Sequence, residues 1–115
     1  MDLNEIRKEI DAIDDQLVRL FCQRMDCSRR VAEYKKANNL PILVPARETE
    51  KLLDVAQKVS GDLAECVQML YSVILPLSRA WQYRHGGNTL PFSMLSEQVM
   101  ELYKNSTQPD HNEVV

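Results

Sequence analysis

Two cations eleven residues apart, Arg24 and Lys35, are the side chains of this sequence best placed to hold a ligand. Eleven residues make three turns of an α-helix, so both project from one face, about 16 Å apart along the axis. Long side chains can converge across that gap on a molecule the size of a small dicarboxylate. Arg7 lies seventeen residues before Arg24, roughly 25 Å along the same helix, and reaches such a molecule only from a second copy of the chain. Two further pairs carry polar chemistry: Arg47 with Glu48, and Ser78 with Gln82 one helical turn on, sharing a face. Each also has an ordinary place in a helical protein. Arg47 and Glu48 suit a solvated first turn, where the helix dipole favours a carboxylate. Ser78 suits a backbone adjustment beside Pro76, and Gln82 a surface. Arg19, Arg29, Arg30 and Lys36 are assigned to solvent.

Other chemistries find no residues. There is no paired-carboxylate acid/base site, no Ser–His–Asp or Cys–His candidate and no glycine-rich phosphate loop. Cys22, Cys27 and Cys66 lack CxxC spacing and read as reduced thiols, two of them small core residues. His85 and His111 stand alone, so neither a metal nor a cofactor is expected. An enzyme made from this set works by binding and electrostatics.

The elements that must position these residues are helices. The chain has 115 residues, 44% hydrophobic and 27% charged, with 3 glycines, which favours one small all-α domain over a β-sandwich. Leu3, Ile6, Ile10, Ile13, Leu17, Leu20, Arg24, Cys27, Val31 and Tyr34 form a heptad-like seam that predicts one helix over 3–37, capped by Asp2 with Glu5 completing a capping box. A cation in that seam either snorkels, pairs with an internal carboxylate or meets a ligand. Such a helix is about 50 Å long and needs partners along its whole stripe, which two short helices of the same chain cannot supply. A homodimer sharing the seam is the economical solution.

Asn38-Asn39-Leu40-Pro41 ends this helix. A second begins at Pro45, with Val44 as an oxygen-free N-cap, and stops at Ser60-Gly61. A third starts at Asp62, with Glu65 as box partner, and runs to Gly86-Gly87, kinked at Pro76. Residues 1–87 thus form one helical domain. In the extension 88–115, Phe92, Leu95, Val99 and Leu102 suggest a short fourth helix before a disordered polar tail from Ser106. A net charge of -3 with interspersed carboxylates argues against a nucleic-acid partner. No apolar run is long enough for a bilayer and no secretory signal opens the chain, so a cytoplasmic location is expected.

Taken in order, Ile6-Arg7-Lys8-Glu9-Ile10-Asp11-Ala12-Ile13-Asp14, Gln23-Arg24-Met25, Val31-Ala32-Glu33-Tyr34-Lys35, Pro41-Ile42-Leu43, Arg47-Glu48, and Ser78 with Gln82 resemble the all-helical chorismate mutases of the AroQ class. The resemblance implies an intertwined homodimer of three-helix chains that isomerises chorismate to prephenate in phenylalanine and tyrosine synthesis, without a cofactor. By position, it implies that Arg24 and the second chain's Arg7 hold the substrate carboxylates, Lys35 and Gln82 the ether oxygen, and Glu48 the ring hydroxyl. Ser78 and Arg47 match supporting contacts. Val44 replaces a frequent Asp and leaves only its backbone to contribute. Two alternatives share the scaffold: an isochorismate-pyruvate lyase, and a non-catalytic helical dimer acting as a binding or regulatory module.

Overall fold

The computed structural model describes residues 2–86, which form α1 (Leu3–Ala37), α2 (Pro45–Gln57) and α3 (Leu63–His85), with no strand among them. The expected fourth helix and polar tail lie outside the described residues. α3 packs against both α1 and α2, which do not pack on each other, so α3 is the shared wall of the domain. The longest dimension, 54 Å, is set by α1. No helix of the described residues is long and apolar enough to cross a membrane.

Local chemistry explains most helix boundaries. Asp2 has extended backbone angles and its carboxylate accepts the Glu5 amide at 2.9 Å, which satisfies one of the free donors of the first turn. At the other end of α1, Asn39 takes the left-handed conformation (φ 54). Leu40 N–H bonds back to the Lys35 carbonyl at 2.8 Å and Asn39 N–H to that of Lys36 at 3.4 Å, the paired bonds of a Schellman turn. The Asn38 side chain adds a bond to the Tyr34 carbonyl at 2.8 Å.

α2 opens at Pro45 with Val44 extended (φ -126, ψ 91) and no side-chain cap. It ends at Gln57, earlier than the glycine stop predicts. Lys58 N–H bonds to Val55, three residues back, and this tightened turn closes the ladder before Gly61. The expected cap at Asp62 does not form. Asp62 itself has helical angles (φ -65, ψ -23), which turn its carboxylate away from the amides an N-cap must reach, and α3 begins at Leu63. α3 continues through Pro76, whose ring is fully buried. That ring lacks the amide that would bond the Ser72 carbonyl, and its burial is the packing that offsets the loss.

The interior is small. Ser28, Ala32, Val55, Pro76, Ser78 and Gln82 are the buried residues among those described, and three of the six are polar side chains. The stripe of α1 is bare by contrast, with Leu3, Ile6, Ile10, Ile13, Leu17 and Leu20 all 40–59% exposed. All three cysteines are exposed, against the expectation that two are core residues. For Cys27 the reason is local, because its stretch of α1 borders a cavity instead of a packed seam.

Candidate active site

A cavity of about 350 Å³ lies where the C-terminal half of α1, the start of α2 and the C-terminal half of α3 meet. Each helix lines it with residues three and four apart. α1 contributes Arg24, Cys27, Ser28, Val31 and Lys35, and α3 contributes Leu75, Ser78, Arg79 and Gln82. Val44, Arg47, Glu48 and Lys51 continue the same spacing through α2, and Ile42 adds the connecting loop. One face per helix therefore serves the cavity. Arg24, Lys35, Val44, Arg47, Glu48, Ser78 and Gln82, all singled out from the sequence, meet here. Arg7 does not, since it sits on an exposed turn near the other end of α1.

Arg24 answers the question its place in the seam raised. Its guanidinium carbon lies 5.7 Å from the centroid of the Tyr71 ring, a cation–π contact from α1 to α3, and no carboxylate among the described residues pairs with it. Its hydrogen-bonding edge thus remains available to a ligand anion. Lys35 is half-buried, and its Nζ donates to the Ile42 carbonyl at 2.8 Å. An ammonium has three donors, so two remain for the cavity. Gln82 is only 8% exposed, yet its buried Oε1 has no protein hydrogen-bond partner. Burying an amide oxygen in this state costs about 1–3 kcal/mol, which marks Gln82 as a group awaiting a partner.

Ser78 bonds to Ser28 across the α1–α3 interface, both hydroxyls being buried. Ser28 also reaches the Arg24 carbonyl at 3.2 Å, so it ties Ser78 to the backbone that carries Arg24. Glu48 contacts Arg79 of α3, with Oε2 2.7 Å from Nε and both side chains more than three-quarters buried. The Nε–H does not aim at the carboxylate well enough to count as a hydrogen bond, and the contact is one of charge. Arg47 pairs with Glu50 at 2.8 Å on the open rim and is 61% exposed, so it sits between the solvated and the site role. Across the outer face of α1, Arg29 bridges Asp26 and Glu33 and Arg30 pairs with Asp26, consistent with the assignment of both to solvent.

The order and types of these residues also match a known family. The profile described as chorismate mutase type II aligns with residues 6–83, two-thirds of the chain and all three helices. The chain belongs to this family. Among curated proteins, it is 44% identical over 63 residues to the bifunctional chorismate mutase/prephenate dehydratase of Aquifex aeolicus, covering 52% of this chain and 17% of that protein. It is 38% identical over 70 residues to the T-protein of Haemophilus influenzae, 56% of this chain and 19% of the relative. A chorismate mutase of Methanocaldococcus jannaschii is 44% identical over 46 residues, 40% of this chain and 46% of that one. The chain thus spans less than half the length of each of these relatives. No solved structure matches it.

Ser28, Lys51 and Arg79 line the cavity without having been singled out from the sequence. A signal for each exists. Ser28 stands four residues after Arg24, Lys51 three after Glu48, and Arg79 three before Gln82, so each lies on the helical face through a candidate already named.

Proposed function

We propose that this chorismate mutase type II chain isomerises chorismate to prephenate, a cofactor-free rearrangement that breaks the ether C–O bond while a new C–C bond forms. The observation that carries the reading is that the buried Gln82 amide, whose Oε1 has no protein partner, and the loop-anchored Lys35 ammonium line one cavity beside Arg24. The Nε2 amide of Gln82 and the free donors of Lys35, brought to one ether oxygen, stabilise the negative charge that builds there in the transition state, and they require no acid, base or nucleophile. Arg24 binds a substrate carboxylate, with Ser78 and Arg47 supporting that end of the cavity. Glu48 accepts the ring hydroxyl, and Val44 contributes wall and backbone. Held this way, the enolpyruvyl group stays folded over the ring, which removes most of the entropic part of the barrier.

Of the other cations lining the cavity, Arg47, Lys51 and Arg79 are paired with Glu50, Asp54 and Glu48, and Lys35 is assigned to the ether oxygen, so the second carboxylate calls for a further cation. We propose that Arg7 of a second copy supplies it, in a homodimer that joins the bare stripes of α1 from Leu3 to Leu20. The exposure of that stripe and the small interior of the single chain support this assembly. A cytoplasmic location, where three exposed thiols stay reduced, and a catalytic unit spanning residues 1–87 belong to the same reading.

The deciding experiment mixes the protein with chorismate and follows its ultraviolet absorbance, identifying prephenate by its acid conversion to phenylpyruvate. Rapid conversion is the expected result. Release of pyruvate from isochorismate with chorismate untouched would assign the lyase reaction instead. Binding of chorismate by a folded dimer without product would assign a binding module. Sedimentation of the native chain against Ile13→Glu tests the shared seam, which the charge should split into monomers.

A further inference from the structure

Among the described residues Glu48 is the only carboxylate lining the cavity, against five cations: Arg24, Lys35, Arg47, Lys51 and Arg79. Its surroundings are sorted in an unexpected way. The two cations on its own helix pair with other carboxylates of that helix, Arg47 with Glu50 at 2.8 Å and Lys51 with Asp54 at 3.4 Å. The cation that meets Glu48 comes from the facing helix, Arg79 at 2.7 Å, and it touches Oε2. No hydrogen bond to Oε1 occurs among the described residues. Val44, at the position where an acidic side chain would offer another acceptor, offers none.

We propose that Arg79 is a positioning residue for the rearrangement: it pins Oε2 of Glu48 against α3 so that Oε1 faces the cavity as the sole carboxylate acceptor for the substrate's ring hydroxyl. The proposal rests on the chorismate reading above. Its physical basis is that a glutamate on the first turn of a helix has three side-chain torsions and several cations within reach. An unanchored carboxylate would turn toward the positive interior of the cavity, where it would compete with substrate carboxylates for Arg24 and Lys35. Arg79 removes that competition by satisfying the charge from the side. A simpler account makes the pair a tie between α2 and α3, and the two accounts differ in what is measured.

The test compares kcat and KM on chorismate, with thermal melts, for the native chain, Arg79→Met, Arg79→Lys, Glu48→Gln and the double variants. Methionine keeps the aliphatic stem packed and removes the charge. Arg79→Met is expected to lose about tenfold to a hundredfold in kcat/KM, the range for a misplaced hydrogen bond to a charged group, with much of it restored by Arg79→Lys. In the Glu48→Gln background, the same change should cost less than about threefold, because no charge is left to position. Equal losses in both backgrounds, or a lowered melting temperature with kcat and KM unchanged, would overturn the proposal. If Arg79→Met does not fold, the Arg79→Lys and Glu48→Gln pair reads the same coupling. A native chain inert toward chorismate would overturn the functional reading and this proposal with it, whereas an active native chain with additive variants overturns only the role of Arg79.

Discussion

Replacing Lys35 by methionine isolates the electrostatic part of the proposed reaction. The stem keeps its volume against α1 and the loop, while the ammonium that donates to the Ile42 carbonyl at 2.8 Å disappears. One of its two remaining donors is assigned to the ether oxygen, where charge develops as the C–O bond lengthens. Losing a single preorganised donor to such an oxygen raises a barrier by about 2.7–4 kcal/mol, or 10²–10³ in kcat. The Ile42 carbonyl also loses its partner, but Ile42 is only half-buried on an otherwise exposed loop, and its carbonyl can turn to water. The stability loss should therefore be about 1.5 kcal/mol, at the low end for a bond to a charged group. Initial rates of chorismate loss, taken well below the melting temperature, separate the two effects. A folded Lys35→Met protein with kcat within tenfold of the native value would refute the assignment of the ammonium to the transition state.

Other consequences can be checked by unfolding curves alone. Val44 already has the extended backbone of an N-cap, so Val44→Asp should add about 0.5–2 kcal/mol by accepting a first-turn amide of α2, and an unchanged melting temperature would contradict that geometry. Ser28→Ala leaves the buried Ser78 hydroxyl without its partner and should cost about 1–3 kcal/mol, to be read by urea unfolding; no loss would mean that Ser78 finds another acceptor. The Asp54 carboxyl is held below its usual 3.8 first by Lys58, which pairs with it at 3.4 Å, and then by Lys51, which donates a hydrogen bond to it. Its folded value is the lower one, so its contribution is complete above the unfolded value and disappears as pH falls through the folded one. Asp54→Asn should then melt slightly lower than the native chain at pH 7 and together with it near pH 2, and a gap that persists in acid would exclude a charge origin.

Much of this architecture was legible because helices announce their ends. Asp2, the Asn38-Asn39 pair, Pro45 and Gly86 act through their own backbone chemistry, and α1 and the start of α2 fall where those residues predict. The end of α2 was not legible, since the three-residue bond from Lys58 to Val55 is open to any residue type and leaves no mark in the sequence. Asp62 carried the right side chain for a cap but not the backbone angles, which no residue type dictates. The cavity candidates came together because they follow helical spacing. Arg79 shares the helical face of Gln82, but its significance lies across an interface, in the pairing of Arg47 and Lys51 with Glu50 and Asp54 that leaves Glu48 to it. The period of one helix cannot report the charges of another.

The turn that ends α1 has a consequence beyond stopping a helix. Leu40 N–H fastens the main-chain carbonyl of Lys35, and two residues later the Ile42 carbonyl fastens the tip of the same residue's side chain. Lys35 is thereby clamped at both ends by a single loop, and a lysine side chain left free carries about 2 kcal/mol of rotamer entropy. That entropy is surrendered when the loop folds, before any ligand arrives, so ordering the ammonium subtracts little from affinity. The left-handed residue that makes the clamp possible, Asn39, touches nothing in the cavity, yet the readiness of the site depends on its backbone.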